Sequence, residues 1–380
     1  NVEYFSYKTF FLIYQLLLQF ILFVCFLNKL SLRERMISKI ETTPQIQTTV
    51  KPQSALTEIP ILDLEPYFSR KKGAEQKLSN DLRHAQENIG FYYIINHGIS
   101  KKLIERCFSE LKAFFSLPFE EKIKLKFDHN MIGYVPPKST IYETSTINKN
   151  TKKDQNETLL VGVERDLNDP LIIENKRFTI PNRWPESLPT FRQTMIEYQK
   201  VMMTLGWKLL PLYALALEKP ANYFNQYFNL NPNCRGRYSH YPVVEVEDNQ
   251  FGHAPHSDHG FLTFLPLSKV PGLEILTQSG NWIPAPYMDG AILVNTGEFL
   301  NRWTNGRFIA TPHRVLSPKT DRYSLTYFYN PSDETVAEPL ETCISAKKPA
   351  QYEPMTFIDY LAYYSDGNFH HSKSKKSFAV

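Results

Sequence analysis

Apolar positions along the chain change spacing twice, and each change predicts a different kind of element. Residues 74–88 form a helix-like segment, and Gly90 ends it before the strand-like FYYIIN at 91–96. Ser100 stands where a helix N-cap is needed, and Leu103, Ile104, Cys107, Phe108 and Leu111 follow at helical spacing. A long helix is expected over 191–218, with Met195, Tyr198, Val201, Met202 and Leu205 along one stripe, read as core. After Asn233 the texture changes. Short strand-like runs (RYSHY, GFLTFLPL, GLEILTQ, GAILVNTG, RFIATPHRVL, RYSLTYFYN) alternate with Gly, Pro and Asn turns, at the spacing of a sandwich or small barrel. Residues 140–156 are polar without an apolar period, and a surface loop is expected there.

The N-terminus has a different pattern. Residues 10–27 are an apolar run of membrane-spanning length, broken only by Tyr14, Gln15 and Gln19. Lys29, Arg33 and Arg35 follow, which would leave the rest of the chain in the cytosol. No small-residue cleavage site follows the run, which argues against a removable signal. The chain opens with Asn1, and its first methionine is Met36. Residues 1–35 therefore read either as a membrane anchor or as a stretch foreign to the natural protein. Thr, Gln and Pro mark 38–55 as linker, and order begins at IPILDLEPYF, residues 59–68.

Composition narrows the class further. At 380 residues with 42% hydrophobic and 14% aromatic content, the chain can bury a substantial core. Lys and Arg number 43 against 39 Asp and Glu, too mild an excess to imply nucleic acid, and basic residues crowd the two ends. The four cysteines lie far apart with no CxxC pair, which suits a reducing compartment and opposes a zinc-finger layout. Cytoplasmic placement and a monomeric state are expected.

Candidate chemistry gathers at residues 253–262, HAPHSDHGFL, where three histidines and one aspartate fall within seven positions. In an extended strand, residues two apart share a face. His256 and Asp258 then point together, His259 points to the other face, and His253 has the wrong parity and precedes Pro255. A third ligand must come from elsewhere, and His313 in TPHRV is on offer. Two histidines and one carboxylate form the facial triad of non-haem iron sites, with three positions left open. An H-x-D triplet among ten histidines also arises by chance. Further along, RYSLTYF puts Arg322 and Ser324 on one face, with Tyr323 and Leu325 on the other. An inward arginine without a nearby acid is costly unless an anionic ligand enters. Tyr241 in SHYP could add a hydroxyl. Taken singly, Arg322 reads equally well as half of a salt bridge and Tyr241 as a core aromatic.

From His256 to Tyr329 the runs HSDHGFLTFL, VPGLEI, GNWIPAP, GAILVNTGEFLNRWTNGRFIATPHRVLSP and RYSLTYF closely resemble the 2-oxoglutarate/Fe(II)-dependent oxygenases of the isopenicillin N synthase-like group. Upstream, IPILDL, IGFYYIINHGI and GYVPP are similar to that family's amino-terminal region, so the resemblance covers about Ile59 to Leu340. It implies a mainly β fold with flanking helices, built on a double-stranded β-helix (jelly-roll) core. By position it makes His256, Asp258 and His313 the iron ligands. Arg322 and Ser324 match the pair that binds the C5 carboxylate of 2-oxoglutarate, and Tyr241 matches an assisting tyrosine. Two departures stand out: Gly297-Glu298 where many members have Gly-Asp, and Ser239 where plant members often carry Asn.

The resemblance implies Fe(II), O₂ and 2-oxoglutarate as reactants, with succinate and CO₂ as co-products. A small organic metabolite would be hydroxylated, desaturated or cyclised. No G-x-S-x-G, P-loop or G-x-G-x-x-G motif competes. Three rivals stay open: an isopenicillin N synthase-like oxidase in which Arg322 and Ser324 hold a substrate carboxylate, a zinc hydrolase, and a non-catalytic jelly-roll module. The expected organisation is an apolar segment at 1–35, a linker at 36–58, a helix-rich oxygenase region at 59–232, the jelly-roll core at 233–340, and a C-terminal helix with basic tail at 341–380.

Overall fold

The computed structural model of the chain describes residues 58–143, 145 and 147–368. The apolar run at 10–27, the linker before residue 58 and the basic tail lie outside the described residues. Among those that are described, no helix is long and apolar enough to cross a membrane.

Five strands precede the histidine cluster: β1 (Ile61–Asp63), β2 (Phe91–Ile95), β3 (Gly133–Val135), β4 (Glu157–Gly162) and β5 (Arg235–Tyr241). The cluster opens β6 (His253–His256), followed by β7 (Leu262–Pro266), β8 (Leu273–Leu276), β9 (Trp282–Pro284), β10 (Ile292–Thr296), β11 (His313–Val315) and β12 (Arg322–Tyr329). One sheet has the order β1-β2-β10-β7-β12-β5-β4-β3, and a second has β6-β11-β8-β9. All neighbours are antiparallel except β1 and β2. Phe91, Tyr93, Leu265 and Leu293 of the large sheet meet Leu273, Ile275 and Val315 of the small one in a shared apolar core. This is a double-stranded β-helix. Apolar side chains fill one part of the space between the sheets, which leaves the remainder for the site.

The helices are α1 (Ala74–Asn88), α2 (Lys101–Phe115), α3 (Pro189–Ala216), α4 (Glu298–Trp303) and α5 (Phe357–Asn368), besides shorter turns. The stripe on α3 buries Met195, Tyr198, Met202 and Leu205 as its spacing requires. The Tyr198 hydroxyl donates to Leu325 O of β12, and Tyr213 meets the Tyr92 hydroxyl of β2 at 2.6 Å. So α3 covers the outer face of the large sheet, and Leu325, expected to face out, is fully buried beneath it. Gly90 does close α1, at φ +67, and a Cβ there would lie 2.2 Å from Ile309 O. Ser100 occupies the N-cap of α2, but its side chain makes no capping bond.

One further expectation fails and another holds only in part. Of RFIATPHRVL only His313–Val315 pairs as a strand. The polar segment at 140–156 is a loop exposed only in its middle, at Glu143, Ile147, Lys149, Thr151 and Lys153, while Thr140, Tyr142, Asp154, Gln155 and Asn156 at its two ends are buried. Hydrogen bonds replace the missing apolar period. Gln155 and Asn156 donate their backbone N–H groups to Phe251 O and Gly252 O, and Asp154 receives Ala254 N–H at 2.9 Å.

Candidate active site

His313 of β11 sits opposite both His256 of β6 and Ile275 of β8, in the middle of the small sheet. The ladder between β6 and β11 is irregular: His313 pairs with His256, but Val315 pairs with His253, so three steps on one strand oppose two on the other. This bulge overturns the parity expected for His253. The extra residue returns His253 to the cavity side, where its ring centroid lies 4.1 Å from that of His256. His259 does leave the cavity, stacking on Tyr364 at 4.2 Å; burial depresses its imidazole to about 4.

Asp258 reaches the site by a different route from the expected one. Strand β6 ends at His256, so no pleat aligns Asp258 with it; the following turn does. The N-terminus of α4 holds that turn: Glu298 N–H donates to Asp258 O at 2.7 Å and Phe299 N–H to Gly260 O at 3.2 Å. The backbones cross so closely that a Cβ on Gly297 would lie 2.1 Å from Gly260 O. The Glu298 side chain, the family departure, points away and accepts from the Tyr360 hydroxyl.

The three side chains converge. His256, Asp258 and His313 are buried, and their ligand atoms all lie within 4.8 Å of one another. Backbone carbonyls fix both imidazoles: Nδ1–H of His256 donates to Ala254 O at 2.7 Å, and that of His313 to Thr311 O at 3.2 Å. Each Nε2 is thereby left as a lone-pair donor. Both Nε2 atoms lie 3.8 Å from Asp258 Oδ1, too far to hydrogen-bond with it. Asp258 Oδ2 is already engaged, by Thr263 Oγ1 at 2.6 Å and Asn295 Nδ2 at 2.7 Å. Burial would raise the Asp258 carboxyl, but His313, His256 and these two donors hold it well below the carboxylate range. Burial and the neighbouring His253 and His313 keep His256 well below its ordinary range. A neutral imidazole and an ionised carboxylate are the states that bind a metal, so the donor set fits a divalent cation.

Arg322, Ser324 and Tyr241 line the same cavity. Arg322 pairs across β12 and β5 with Tyr241, and its guanidinium lies 4.9 Å over that ring. Burial works against its charge, and its Nε and Nη1 have no hydrogen-bond partner. A buried guanidinium with unmet donors calls for an anion. The sequence missed a third group of residues. Tyr142 places its ring 4.7 Å from both His253 and His256, and its hydroxyl accepts from Arg237 at 2.8 Å. Asp154, Asn295 and Thr263 have equally direct roles. Arg237 alone was legible in principle, since it shares strand parity with Ser239 and Tyr241.

Comparison with known proteins agrees with this geometry. Residues 59–187 match a family described as non-haem dioxygenase in morphine synthesis N-terminal, and residues 228–331 match the 2OG-Fe(II) oxygenase superfamily. The chain is 33% identical over 316 residues to kihadalactone A synthase of Citrus sinensis, covering 80% of this chain and 92% of that protein. It is 31% identical over 294 residues to a 2-oxoglutarate-dependent dioxygenase of Monascus ruber, covering 74% and 88%. A full-length Neurospora crassa protein, solved in complex with alpha-KG, shares the fold with a TM-score of 0.72 at 24% identity, over 83% of this chain and 98% of that one. JOX2, solved with 2OG, Fe and JA, gives 0.67 at 25% identity over 83% and 88%. The chain belongs to the 2-oxoglutarate/Fe(II)-dependent oxygenases, as a non-haem iron dioxygenase with 2-oxoglutarate as cosubstrate. These relatives do not favour the oxidase that dispenses with an oxo acid.

Proposed function

We propose that His256, Asp258 and His313 hold the Fe(II), and that Arg322 and Ser324, assisted by Tyr241, hold the far carboxylate of 2-oxoglutarate. The carrying observation is the convergence of two Nε2 lone pairs and Asp258 Oδ1 in the cavity into which Arg322 brings unmet donors. Bound there with O₂ and the oxo acid, Fe(II) supplies the oxidation of a substrate C–H bond, while 2-oxoglutarate leaves as succinate and CO₂. The protein's own residues orient. Thr263 and Asn295 fix which carboxylate oxygen of Asp258 is available, the two backbone carbonyls fix the imidazoles, and Tyr142 with the buried 154–156 segment keeps water from their far side.

The substrate is a small organic metabolite, supported by relatives named for small molecules they make. Hydroxylation, desaturation and ring closure are all open to such a site. The helix-rich region at 59–232, the jelly-roll core at 233–340 and the C-terminal segment at 341–380 act as one catalytic unit. The enzyme works as a cytoplasmic monomer on no nucleic acid. Three buried, unpaired cysteines, Cys107, Cys234 and Cys343, support the reducing compartment.

Anaerobic titration with Fe(II) and then 2-oxoglutarate tests the reading. A weak visible charge-transfer band should grow with the oxo acid, and succinate should form when O₂ is admitted. An enzyme that binds Fe(II) yet shows neither band nor succinate would fit the synthase-like alternative instead.

A further inference from the structure

We propose that Arg237 is an anion-binding subsite for the substrate, so that this enzyme acts on a small organic carboxylate; the proposal rests on the cosubstrate assignment above. Arg237 lies on β5, on the same strand parity as Ser239 and Tyr241, and lines the same cavity as the triad. It pairs with Thr326, whereas Arg322 pairs with Tyr241. The two arginines therefore stand four residues apart on one two-stranded ladder, about 13 Å at the backbone. Arg322 stays at its own end, packed over Tyr241. A five-carbon diacid with one end on the metal and the other on Arg322 leaves Arg237 free for a second ligand.

The surroundings of Arg237 favour an anion. It is only 8% exposed, and the one hydrogen bond of its guanidinium within the described residues goes from Nη1 to the neutral hydroxyl of Tyr142. Arg235, two residues earlier and also buried, shows what a purely structural arginine looks like here. Its guanidinium donates to Asn233 Oδ1, Asn130 O, Met131 O and Phe178 O. Asp154 lies close enough to feel Arg237, yet its oxygens are taken by His253 and Ala254, and it forms no ion pair with Arg237. Charge balance points the same way. The metal dication, the Asp258 carboxylate, a dianionic oxo acid and the Arg322 guanidinium cancel, and Asp154, whose carboxyl burial pushes up to about 7, offsets the buried charge of Arg237 incompletely. A substrate carboxylate would neutralise it and dock bidentately.

The test uses anaerobic enzyme loaded with Fe(II) and 2-oxoglutarate, titrated in a calorimeter with phenylacetate and with its neutral analogue phenylacetamide. The wild type should prefer the acid by about tenfold or more, the scale of one charge-assisted contact. Arg237→Met should lose that preference, and Arg237→Lys should keep part of it. Arg237→Gln, which retains a donor for Tyr142, replaces the Met variant if that one fails to fold. Equal binding of acid and amide by the wild type, or a preference that survives in the neutral variants, overturns the proposal. If the neutral variants instead lose 2-oxoglutarate affinity, Arg237 belongs to the cosubstrate and the proposal also fails, while the proposed function stands. If the wild type takes up no Fe(II) and 2-oxoglutarate at the outset, the proposed function itself fails.

Discussion

Asp154 and His253 share a hydrogen bond of 2.5 Å between Oδ2 and Nδ1, and that bond ties a polar stretch of sequence to the strand bearing His256. The same carboxylate receives Ala254 N–H, so Asp154→Ala orphans two buried donors. Each should cost about 1–3 kcal/mol, read as a lower urea midpoint at unchanged slope. His253→Ala, by contrast, should leave Fe(II) stoichiometry intact, since the ring lies beside the three converging ligands without being one.

Substitution of the three converging residues should act on the metal. His256→Ala, Asp258→Ala and His313→Ala should each abolish succinate formation and weaken Fe(II) binding in equilibrium dialysis. His259→Ala should retain turnover, because its ring faces Tyr364 rather than the cavity. Full iron affinity in His313→Ala would refute the assignment.

Arg322→Lys keeps the charge but loses the planar fork. It should weaken 2-oxoglutarate by ~1.5–3 kcal/mol, with Arg322→Ala worse still. The readout is the KM for the oxo acid in a succinate assay. An unchanged KM would remove Arg322 from the cosubstrate site.

Gly297→Ala tests how Asp258 is positioned. Its Cβ would press on Gly260 O, a backbone atom that cannot swing aside. The turn carrying Asp258 must shift, at a cost of about 1–3 kcal/mol. Iron affinity should fall together with thermal stability.

The acid limb of stability has an identifiable contributor outside the cavity. Glu157 on β4 accepts from Lys122 Nζ at 2.7 Å, from His240 Nδ1 at 2.8 Å and from the Tyr134 hydroxyl. Burial alone would raise its carboxyl, but these partners hold it below the ordinary value. A depressed folded-state pKa stabilises above the unfolded value of about 4.3, and that stability is lost as pH falls through the folded-state value. Glu157→Gln should cost ~3–5 kcal/mol near neutrality by stranding Lys122, and the deficit should shrink below about pH 4. Denaturation midpoints across pH would show it; a deficit independent of pH would oppose it.

Periodicity alone determined the helices at 74–88 and along α3, and the succession of short strands after residue 233, because burial of one face imposes a local repeat. Local spacing offered His256, Asp258, His313, Arg322, Ser324 and Tyr241 only as candidates, and the resemblance to a family supplied the roles expected of them. Tertiary structure decided how they meet. A bulge opposite Arg314, invisible in a string of letters, turned His253 inward against its parity. Asp258 is aimed by a turn that another helix's N-terminus grips, not by a pleat. The two ends of the 140–156 loop were misread as surface because polar residues can be buried only where partners wait, and their partners, near residues 237, 253 and 364, lie about a hundred residues or more away in sequence. Hydrogen-bond complementarity at that range has no period, so only the folded chain reveals it.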